Sequence, residues 1–238
     1  MVSWFVVVGN QAALTSSVEQ STKERLVLTG ERLFAIHGID GVSLRQIGAE
    51  SGMANNSVVQ YHFGSKERLI EAILVNRLNN LTERRKLLFA RVRSETLRSV
   101  AEAQLLPIVE LAERTDCYYL MFLEQLERHG AMSQVVERLT ADHQASQRSY
   151  VTRVSRLLGH IPWQLRAARI DQASALCLHI CAERQRARHF ELAVAPFALH
   201  ASQLLDGVEA SLSALPSADT LHALKSSSGP FPSLAALP

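Results

Sequence analysis

The chain has 238 residues, of which 47% are hydrophobic and 6% aromatic, and its formal net charge at pH 7 is +2. A chain of this length can bury a large core in one or two domains, and its aliphatic, glycine-poor composition favours an all-α fold. Its three cysteines are too few for the disulfide framework of a secreted protein, and no run of residues is apolar enough to span a bilayer. We therefore expect a cytoplasmic helical protein that does not enter the membrane.

The first predicted helix follows an extension without a clear signal. Residues 1–20 open with a short apolar run that has no positive residue before it and no clear cleavage site, which is untypical of a secretory signal. We expect this extension to be disordered. Residues 22–38 then predict a bracing helix, because apolar residues recur there at helical spacing: Leu26, Val27, Gly30, Leu33 and Phe34.

Two short helices and the start of a third are predicted between residues 43 and 69. Ser43 can cap the first helix, with Gln46 reaching back to the cap residue, and Gly52 can take the left-handed conformation that ends it. Arg45 lies on this helix. If the helix crosses a nucleic-acid backbone, Arg45 is placed to contact a phosphate.

The second short helix is unusual because its polar residues carry no charge. Its hydrogen-bonding residues, the first of which is the expected cap, are Asn55, Asn56, Ser57 and Gln60. Amide side chains of this kind pair well with the N6 and N7 edge of adenine. Lys66 then lies at the start of the third helix, where an ammonium and a positive helix end favour a phosphate. This order of elements is the layout of a helix-turn-helix, whose second helix enters the major groove.

The charge distribution agrees with that layout. Residues 21–91 hold 11 Lys and Arg against 7 Asp and Glu, and the rest of the chain holds 14 against 16. The positive excess therefore lies with the predicted helix-turn-helix, as a nucleic-acid-binding domain requires.

The sequence YHFGSKE, residues 61–67, resembles the DNA-binding domain of the TetR family of transcriptional regulators. In that family a polar helix ends in an aromatic residue, His and Phe, and Ser or Thr, Lys and Glu follow. The resemblance covers about residues 22–70 and implies that residues near the start of the bracing helix touch a phosphate. The expected DNA contacts are Thr22, Ser43, Arg45, Asn55, Asn56, Ser57, Gln60, Tyr61, His62 and Lys66.

The helices that follow are expected to form a larger domain. A long helix from Ser65 to about Arg85 links this domain to the DNA-binding unit. Pro107 lies inside a predicted helix over residues 98–114, where a kink is expected to open space beside it. The next helix, over residues 117–129, holds the richest aromatic cluster of the chain. The residues that either line a ligand cavity or pack in the core are Leu105, Ile108, Tyr118, Tyr119 and Phe122.

Three more helices are predicted over residues 133–158, 163–191 and 196–215. The last two mix small residues with large aliphatic ones, which lets helices pack closely. In the resembled family this pair forms a four-helix interface between two subunits. Cys177 and Cys181 lie one helical turn apart, and either buried packing or a metal or redox pair fits that spacing. We favour packing, and we expect neither a metal nor a cofactor.

Four parts of the chain follow from these predictions. They are a disordered extension (1–20), a helix-turn-helix DNA-binding domain (21–68), a helical ligand-binding and dimerisation domain (69–215) and a proline-rich disordered tail (216–238). No glycine-rich phosphate loop, metal-spaced cluster or nucleophile turn is present in the sequence, so we expect no enzyme.

The function expected from these parts is transcriptional regulation. A homodimer, most readily a repressor, would bind a double-stranded DNA operator and leave it when a small-molecule effector enters the larger domain. The alternative is a helical dimer whose ligand- or protein-binding role dominates, with little specific DNA binding.

Overall fold

The computed structural model describes residues 5–53, 57–130 and 141–226, with side chains described from residue 21 onward except at 142. These residues form helices and no strand, so the predicted all-α fold is confirmed. In chain order the helices are α1 Phe5–His37, α2 Leu44–Glu50, α3 Val58–Phe63, α4 Lys66–Phe89, α5 Leu97–Leu111, α6 Tyr119–Arg128, α7 Ala141–Leu157, α8 Trp163–His189, α9 Phe197–Ser213 and α10 Ala218–Ser226.

The first three helices and the start of α4 share one small core. Ser43 caps α2 as predicted, because its Oγ accepts a hydrogen bond from the backbone N–H of Gln46 at 3.2 Å. Gly52 then adopts φ +72°, a left-handed conformation that glycine takes without a Cβ clash. Ile47 of α2 and Val59 of α3 are fully buried on either side of this turn.

The helix α3 is shorter than the sequence predicts. The expected start is Asn55, but α3 begins at Val58 and Ser57 precedes it in a turn. Residues 54–56 lie outside the described part of the chain. Several residues in a row can act as a helix cap here, so local sequence does not single out the first helical position.

The helix α4 belongs to both halves of the molecule. Its inner side is buried along most of its length, through Leu69, Ile70, Ile73, Leu74, Leu78 and Leu81. The helix α1 approaches this side closely at Gly30, where a Cβ atom would lie 3.2 Å from Ile73 Cδ1 and 3.3 Å from Leu69 Cδ2. A residue without a side chain at position 30 therefore sets the distance between α1 and α4.

A buried carboxylate joins α1, α4 and α6. Glu31 of α1 is 1% exposed and accepts two hydrogen bonds from the Arg77 guanidinium of α4, at 3.1 and 3.2 Å. The same carboxylate accepts the backbone N–H of Tyr118, directly before α6, at 2.9 Å. We call these three groups the buried junction. Because a buried charge must keep its partners, the buried junction holds three helices in one arrangement.

The helix α5 continues through its proline. Pro107 is buried inside α5, which runs to Leu111 as one helix. A proline removes one backbone donor and crowds the preceding turn. In that turn the carbonyl of Gln104 accepts a hydrogen bond from the buried Arg85 of α4 at 3.1 Å. A side chain from α4 thus supports α5 where the proline weakens it.

The helix α8 lies at the centre of the larger domain and packs against α5, α6, α7 and α9. On its inner side Ala173, Cys177 and Cys181 are 1% exposed or less. The facing residues of α9 are also a mixture of small and large side chains, including Ala201, Leu204, Leu205 and Val208. This composition allows the close packing of α8 and α9 that the sequence predicts.

Both ends of the chain differ from the predicted disorder. The helix α1 begins at Phe5 and so includes most of residues 1–20, where one glycine and no proline stand between residues 5 and 20 to stop a helix. Within the tail, α10 covers Ala218–Ser226, and none of its residues is buried. Residues 227–238 lie outside the described residues, and the domain boundaries stay predictions. None of the helices described is long and apolar enough to cross a membrane.

Glu31→Gln is expected to lower the free energy of unfolding by about 3 kcal/mol, because it leaves the Arg77 guanidinium without its charged partner. The matched control is Glu50→Gln, which breaks an ion pair of α1 with α2 at the surface. In that pair the side chains of Arg32 and Glu50 are 36% and 44% exposed, so the loss should stay below about 1 kcal/mol. Urea unfolding followed by circular dichroism measures both values, and equal small losses would contradict a structural role for the buried junction.

Candidate nucleic-acid interface

The outer side of α3 is open to solvent. Tyr61 is 78% exposed, and Ser57 and Gln60 are exposed with it. Val59, on the opposite side, is fully buried and is the one buried residue of this six-residue helix. The helix therefore presents polar and aromatic groups outward, which is the orientation that a groove-reading helix requires.

Of the predicted base contacts, Gln60 has a hydrogen-bond partner within the protein. The side-chain amide of Gln60 donates to the carbonyl of Gly64 and closes the C-terminal end of α3. The amide oxygen and the second N–H of Gln60 remain available for contact with a base. Asn55 and Asn56 lie outside the described residues.

Three consecutive rings end α3. The His62 ring lies 5.1 Å from the Tyr61 ring in an edge-on arrangement and 6.4 Å from the Phe63 ring. Phe63 packs against the core, His62 is half-buried and Tyr61 is exposed. Edge-on ring contacts of this kind restrict side-chain orientation, so the core helps to fix the position of Tyr61.

The predicted phosphate contacts on α1 and α2 are in different settings. Arg45 is exposed on α2, so its positive charge is open to a phosphate. Thr22 is half-buried on α1. Ser43 is exposed, and its oxygen already caps α2, so its hydroxyl can still donate to a phosphate. Glu50 at the end of α2 pairs with Arg32 of α1 at 2.9 Å.

Lys66 has a contact that the sequence does not reveal. Its ammonium donates to the carbonyl of Ile39 at 2.9 Å and lies 5.9 Å from the centre of the Phe34 ring. Lys66 thus ties the loop after α1 to the first turn of α4. Its partner lies 27 residues away in the chain, so local spacing could not indicate it. The predicted phosphate contact stays a prediction.

A groove beside α3 is lined by a lysine that the sequence pattern does not single out. The groove has a volume of about 930 Å³ and is lined by residues of α1, α3 and α4. Lys23 and Glu24 of α1 line it together with Tyr61 and His62 of α3. Lys23 is exposed and follows Thr22 directly. The sequence shows this charge, but its place beside Tyr61 depends on how α1 and α3 pack.

The residues predicted to line a ligand cavity are mainly core residues. Four of the five are 2% exposed or less: Leu105, Ile108, Tyr119 and Phe122. The Tyr119 hydroxyl donates to the Leu74 carbonyl at 3.4 Å, and burial raises the pKa of this hydroxyl. Tyr118 is half-buried, with its ring 4.9 Å from that of His189. The sequence leaves open whether these residues line a cavity or pack in the core. In this structure the four buried ones pack in the core.

A small cleft does lie beside Pro107, between α4 and α5. Its volume is about 210 Å³. Arg84 and Glu110 line it and form a two-pronged ion pair, with distances of 3.1 and 2.8 Å. Ligand pockets usually start at roughly 300 Å³, so this cleft must widen before it can hold a typical small molecule.

A charged network connects α6 to α8. Burial raises the pKa of Glu124, but hydrogen bonds from His179 and Arg186 outweigh this effect and hold the pKa below its ordinary value. The two contacts measure 2.8 and 2.7 Å. Among the described residues, Glu124, His179 and Glu183 bring possible metal-ligand atoms within 4.8 Å of one another. Arg186 bonds both carboxylates and Arg128 also pairs with Glu124, so we interpret the group as an ion-pair network.

The arrangement of α2 and α3 around Gly52 is a helix-turn-helix, which places the N-terminal unit in the class of DNA-binding domains. Residues 26–73 match the model of the bacterial regulatory proteins of the tetR family. The match covers about a fifth of the chain, from within α1 to within α4. The predicted family resemblance is thereby confirmed.

Solved structures with a related arrangement of helices include NalD of Pseudomonas aeruginosa, described as the secondary repressor of the MexAB-OprM multidrug efflux pump. Native NalD is 20% identical over 82% of this chain and 98% of its own, with a TM-score of 0.47. A second NalD structure is 20% identical over 83% and 98%, also with a TM-score of 0.47. A TetR family protein of Vibrio parahaemolyticus is 16% identical over 79% and 96%, with a TM-score of 0.42. No curated protein matches the sequence.

Lys66→Met is expected to lower the free energy of unfolding by about 1 to 2 kcal/mol, because it removes a charged donor from the Ile39 carbonyl. Arg68→Met is the matched control, since Arg68 is exposed in the same turn of α4 and should change the value by less than about 0.5 kcal/mol. Chemical unfolding of both variants checks this. A Lys66→Met protein as stable as the wild type would show that the contact with Ile39 has no structural weight.

Proposed function

We propose that this protein is a transcriptional regulator that binds a specific double-stranded DNA operator as a homodimer, represses from it, and leaves it when a small molecule binds the larger domain. The observation that carries the DNA-binding part is the exposed outer side of α3. It presents Tyr61 at 78% exposure within a domain that matches the tetR family over residues 26–73. Such a protein acts without catalysis, in the cytoplasm where its operator lies.

The charge of the DNA-binding unit supports binding to a polyanion. Residues 21–91 carry 11 Lys and Arg against 7 Asp and Glu, and the exposed cations among them include Lys23, Arg45 and Arg68. Contacts of such cations with phosphates supply affinity for any duplex, whereas groups on α3 supply sequence preference. The two contributions can therefore be separated by substitution.

The outer sides of α8 and α9 support a homodimer. Leu176 and Ile180 of α8 are half-buried, and Leu199 of α9 is 50% exposed, although the inner sides of both helices are closed by packing. Apolar groups left open on two neighbouring long helices are typical of a helix-bundle interface. A single α3 has six residues and reaches few base pairs. Two copies about 34 Å apart would contact two half-sites on one side of a duplex.

The buried junction supports coupling between the larger domain and DNA. Glu31 belongs to α1 of the DNA-binding unit, and the Tyr118 N–H that it accepts lies directly before α6 of the larger domain. A ligand that repacks α6 must move this carboxylate or break its hydrogen bonds, and either change alters the position of α1. Release from DNA then requires only that the ligand bind the altered arrangement more tightly.

The cleft beside Pro107 is the proposed route for such a ligand. The cleft lies on the α5 side of α4 and is too small for a typical ligand as it stands. In this proposal the cleft widens at the expense of the core that α5 shares with α6, which includes Leu105, Ile108, Tyr119 and Phe122. Ligand binding and repacking of α6 are thus one event in this proposal.

A second candidate function is favoured by two observations at the interface. The Gln60 amide is bonded to Gly64, and the Lys66 ammonium is bonded to Ile39, so two predicted DNA contacts have partners within the protein. In this second view the protein is a helical dimer in which ligand or protein binding dominates. The helix-turn-helix would then serve mainly as an architectural unit.

Selection from a random duplex pool at moderate salt is expected to yield an inverted repeat that binds two chains. Tyr61→Ala should weaken binding to that repeat by roughly tenfold to a hundredfold, which corresponds to one hydrogen bond with a charged group. Arg45→Ala should weaken binding to every duplex and lower the slope of log affinity against log salt by about 1. Fluorescence anisotropy over a salt series measures both effects.

The matched control for these variants is Arg91→Ala, an exposed cation just beyond the far end of α4. It should leave operator affinity unchanged, and circular dichroism should show that Tyr61→Ala retains the helical content. A selection without sequence preference, or unaltered operator affinity of Tyr61→Ala, would sink the DNA-binding proposal and favour the second candidate.

Release by a ligand is checked with a thermal-shift screen of small molecules. Compounds that raise the Tm are expected to weaken operator binding, and operator DNA should weaken compound binding by the same factor. A reporter gene behind the selected operator should be repressed by the protein and recover with the compound. Stabilising compounds that leave operator affinity untouched would contradict release by a ligand.

A further inference from the structure

The start of α8 and the end of α9 meet far from the DNA-binding unit. The helix α4 leaves that unit and runs for 24 residues, which is about 36 Å, to Phe89. The Arg153 guanidinium of α7 lies 5.2 Å from the centre of the Phe89 ring, and α7 ends one turn later. His160 then donates to the carbonyl of Ser213, the last residue of α9, at 3.2 Å. We call the start of α8 and the end of α9 together the distal end.

An exposed tryptophan stands on a rigid support at the distal end. Trp163 is the first residue of α8 and is 62% exposed. Arg166 donates hydrogen bonds of 2.8 and 3.1 Å to the carbonyls of Ile161 and Ser155, which fixes the turn that leads into α8. A side chain on a fixed support loses little freedom on binding, and tryptophan is enriched among the residues that dominate interface energies. The distal end is therefore suited to bind an apolar surface.

The helix α10 has an apolar side that the described part of the chain does not bury. Its first turn is capped, because the Ser217 Oγ accepts the backbone N–H of Thr220 at 3.2 Å. Leu221 and Leu224 lie three residues apart on one side of the helix, and Leu221 is 38% exposed. None of the residues of α10 is buried. A helix of nine residues is marginal in water by itself, so packing of this apolar side would stabilise it.

The proposed homodimer brings a second distal end close to α10. In a dimer formed through α8 and α9, the two-fold axis passes between the two copies of these helices. On a palindromic operator this axis is perpendicular to the duplex, so both distal ends point away from the DNA and lie side by side. Leu215, in the connection between α9 and α10, is 77% exposed, so the open apolar surface of α9 continues towards α10. A second copy of the chain is thus the partner nearest to α10.

We propose that α10 of each subunit packs against the distal end of its partner, with Leu221 and Leu224 on the tryptophan at position 163 of the partner subunit. The two-fold axis makes this contact twice. The inference rests on the proposed homodimer and adds an exchanged helix to it. The strength of the dimer then depends on residues far from both the DNA and the cleft beside Pro107.

Trp163→Ala and Leu221→Ser are each expected to raise the Kd of the dimer by roughly thirtyfold or more, the effect of losing an interface hot spot. The double variant should be about as weak as the weaker single variant, because the two side chains share one contact. Leu87→Ser is the matched control, since Leu87 of α4 is 59% exposed and should not affect the Kd. Sedimentation equilibrium over a dilution series measures the Kd, and circular dichroism checks that each variant retains its helices.

Crosslinking separates contact between subunits from packing within one chain. Ala167→Cys introduces a thiol one turn after Trp163 on α8, and His222→Cys introduces one beside Leu221 on α10. After the two variants are mixed and exchange subunits, a short bis-maleimide should join position 167 of one chain to position 222 of the other, as mass spectrometry detects. A protein with both substitutions should give the same link between chains. The three native cysteines are buried, so the wild type is the control and should not be linked.

The proposal is overturned if the dimer dissociates equally in the wild type, Trp163→Ala and Leu221→Ser, or if the effects of these two substitutions simply add. A link between positions 167 and 222 within one chain would overturn it as well. A wild type that is monomeric at every concentration would contradict the homodimer itself. An intact dimer with unaltered dissociation of the variants would contradict only the exchange of α10.

Discussion

A carboxylate removed from water keeps its charge only while its hydrogen bonds last, and Glu31 of α1 has its partners on α4 and directly before α6. The residue before it, Gly30, lets α1 approach α4 closely enough for the contact with Arg77 to form. Packing and charge pairing at this point are therefore one constraint. If α1 shifts, the carboxylate loses either the guanidinium on α4 or the N–H before α6.

The apolar core shows the same continuity between the two halves of the chain. The Phe34 ring of α1 lies 6.2 Å from the Phe122 ring of α6, and the Phe122 ring lies 6.3 Å from that of Tyr119. On its other side Phe34 carries the ammonium of Lys66, at the start of α4. The predicted domain boundary lies between residues 68 and 69, but side chains from both sides of it pack together in this core. The helices α1 and α4 therefore share packed side chains with the larger domain.

Local sequence predicted those features that depend on local physics. Ser43 caps α2 and Gly52 turns the chain because capping and left-handed backbone are properties of single residues. The partner of Lys66 was not predictable in this way, because its ammonium donates to a carbonyl 27 residues away in the chain. Tyr119 and Phe122 are buried in the core, as their apolar rings favour. Spacing alone could not separate a cavity wall from a packed interior.

Val59 is the one fully buried side chain of the short helix α3, and Val58 and Phe63 pack against the core only in part. Burying one valine contributes roughly 1.5 to 3 kcal/mol, which is comparable to the cost of ordering one or two residues of backbone. Such a short segment holds its shape with little to spare. A partner that binds α3 would therefore supply part of its order. The affinity for that partner and the rigidity of α3 are then linked.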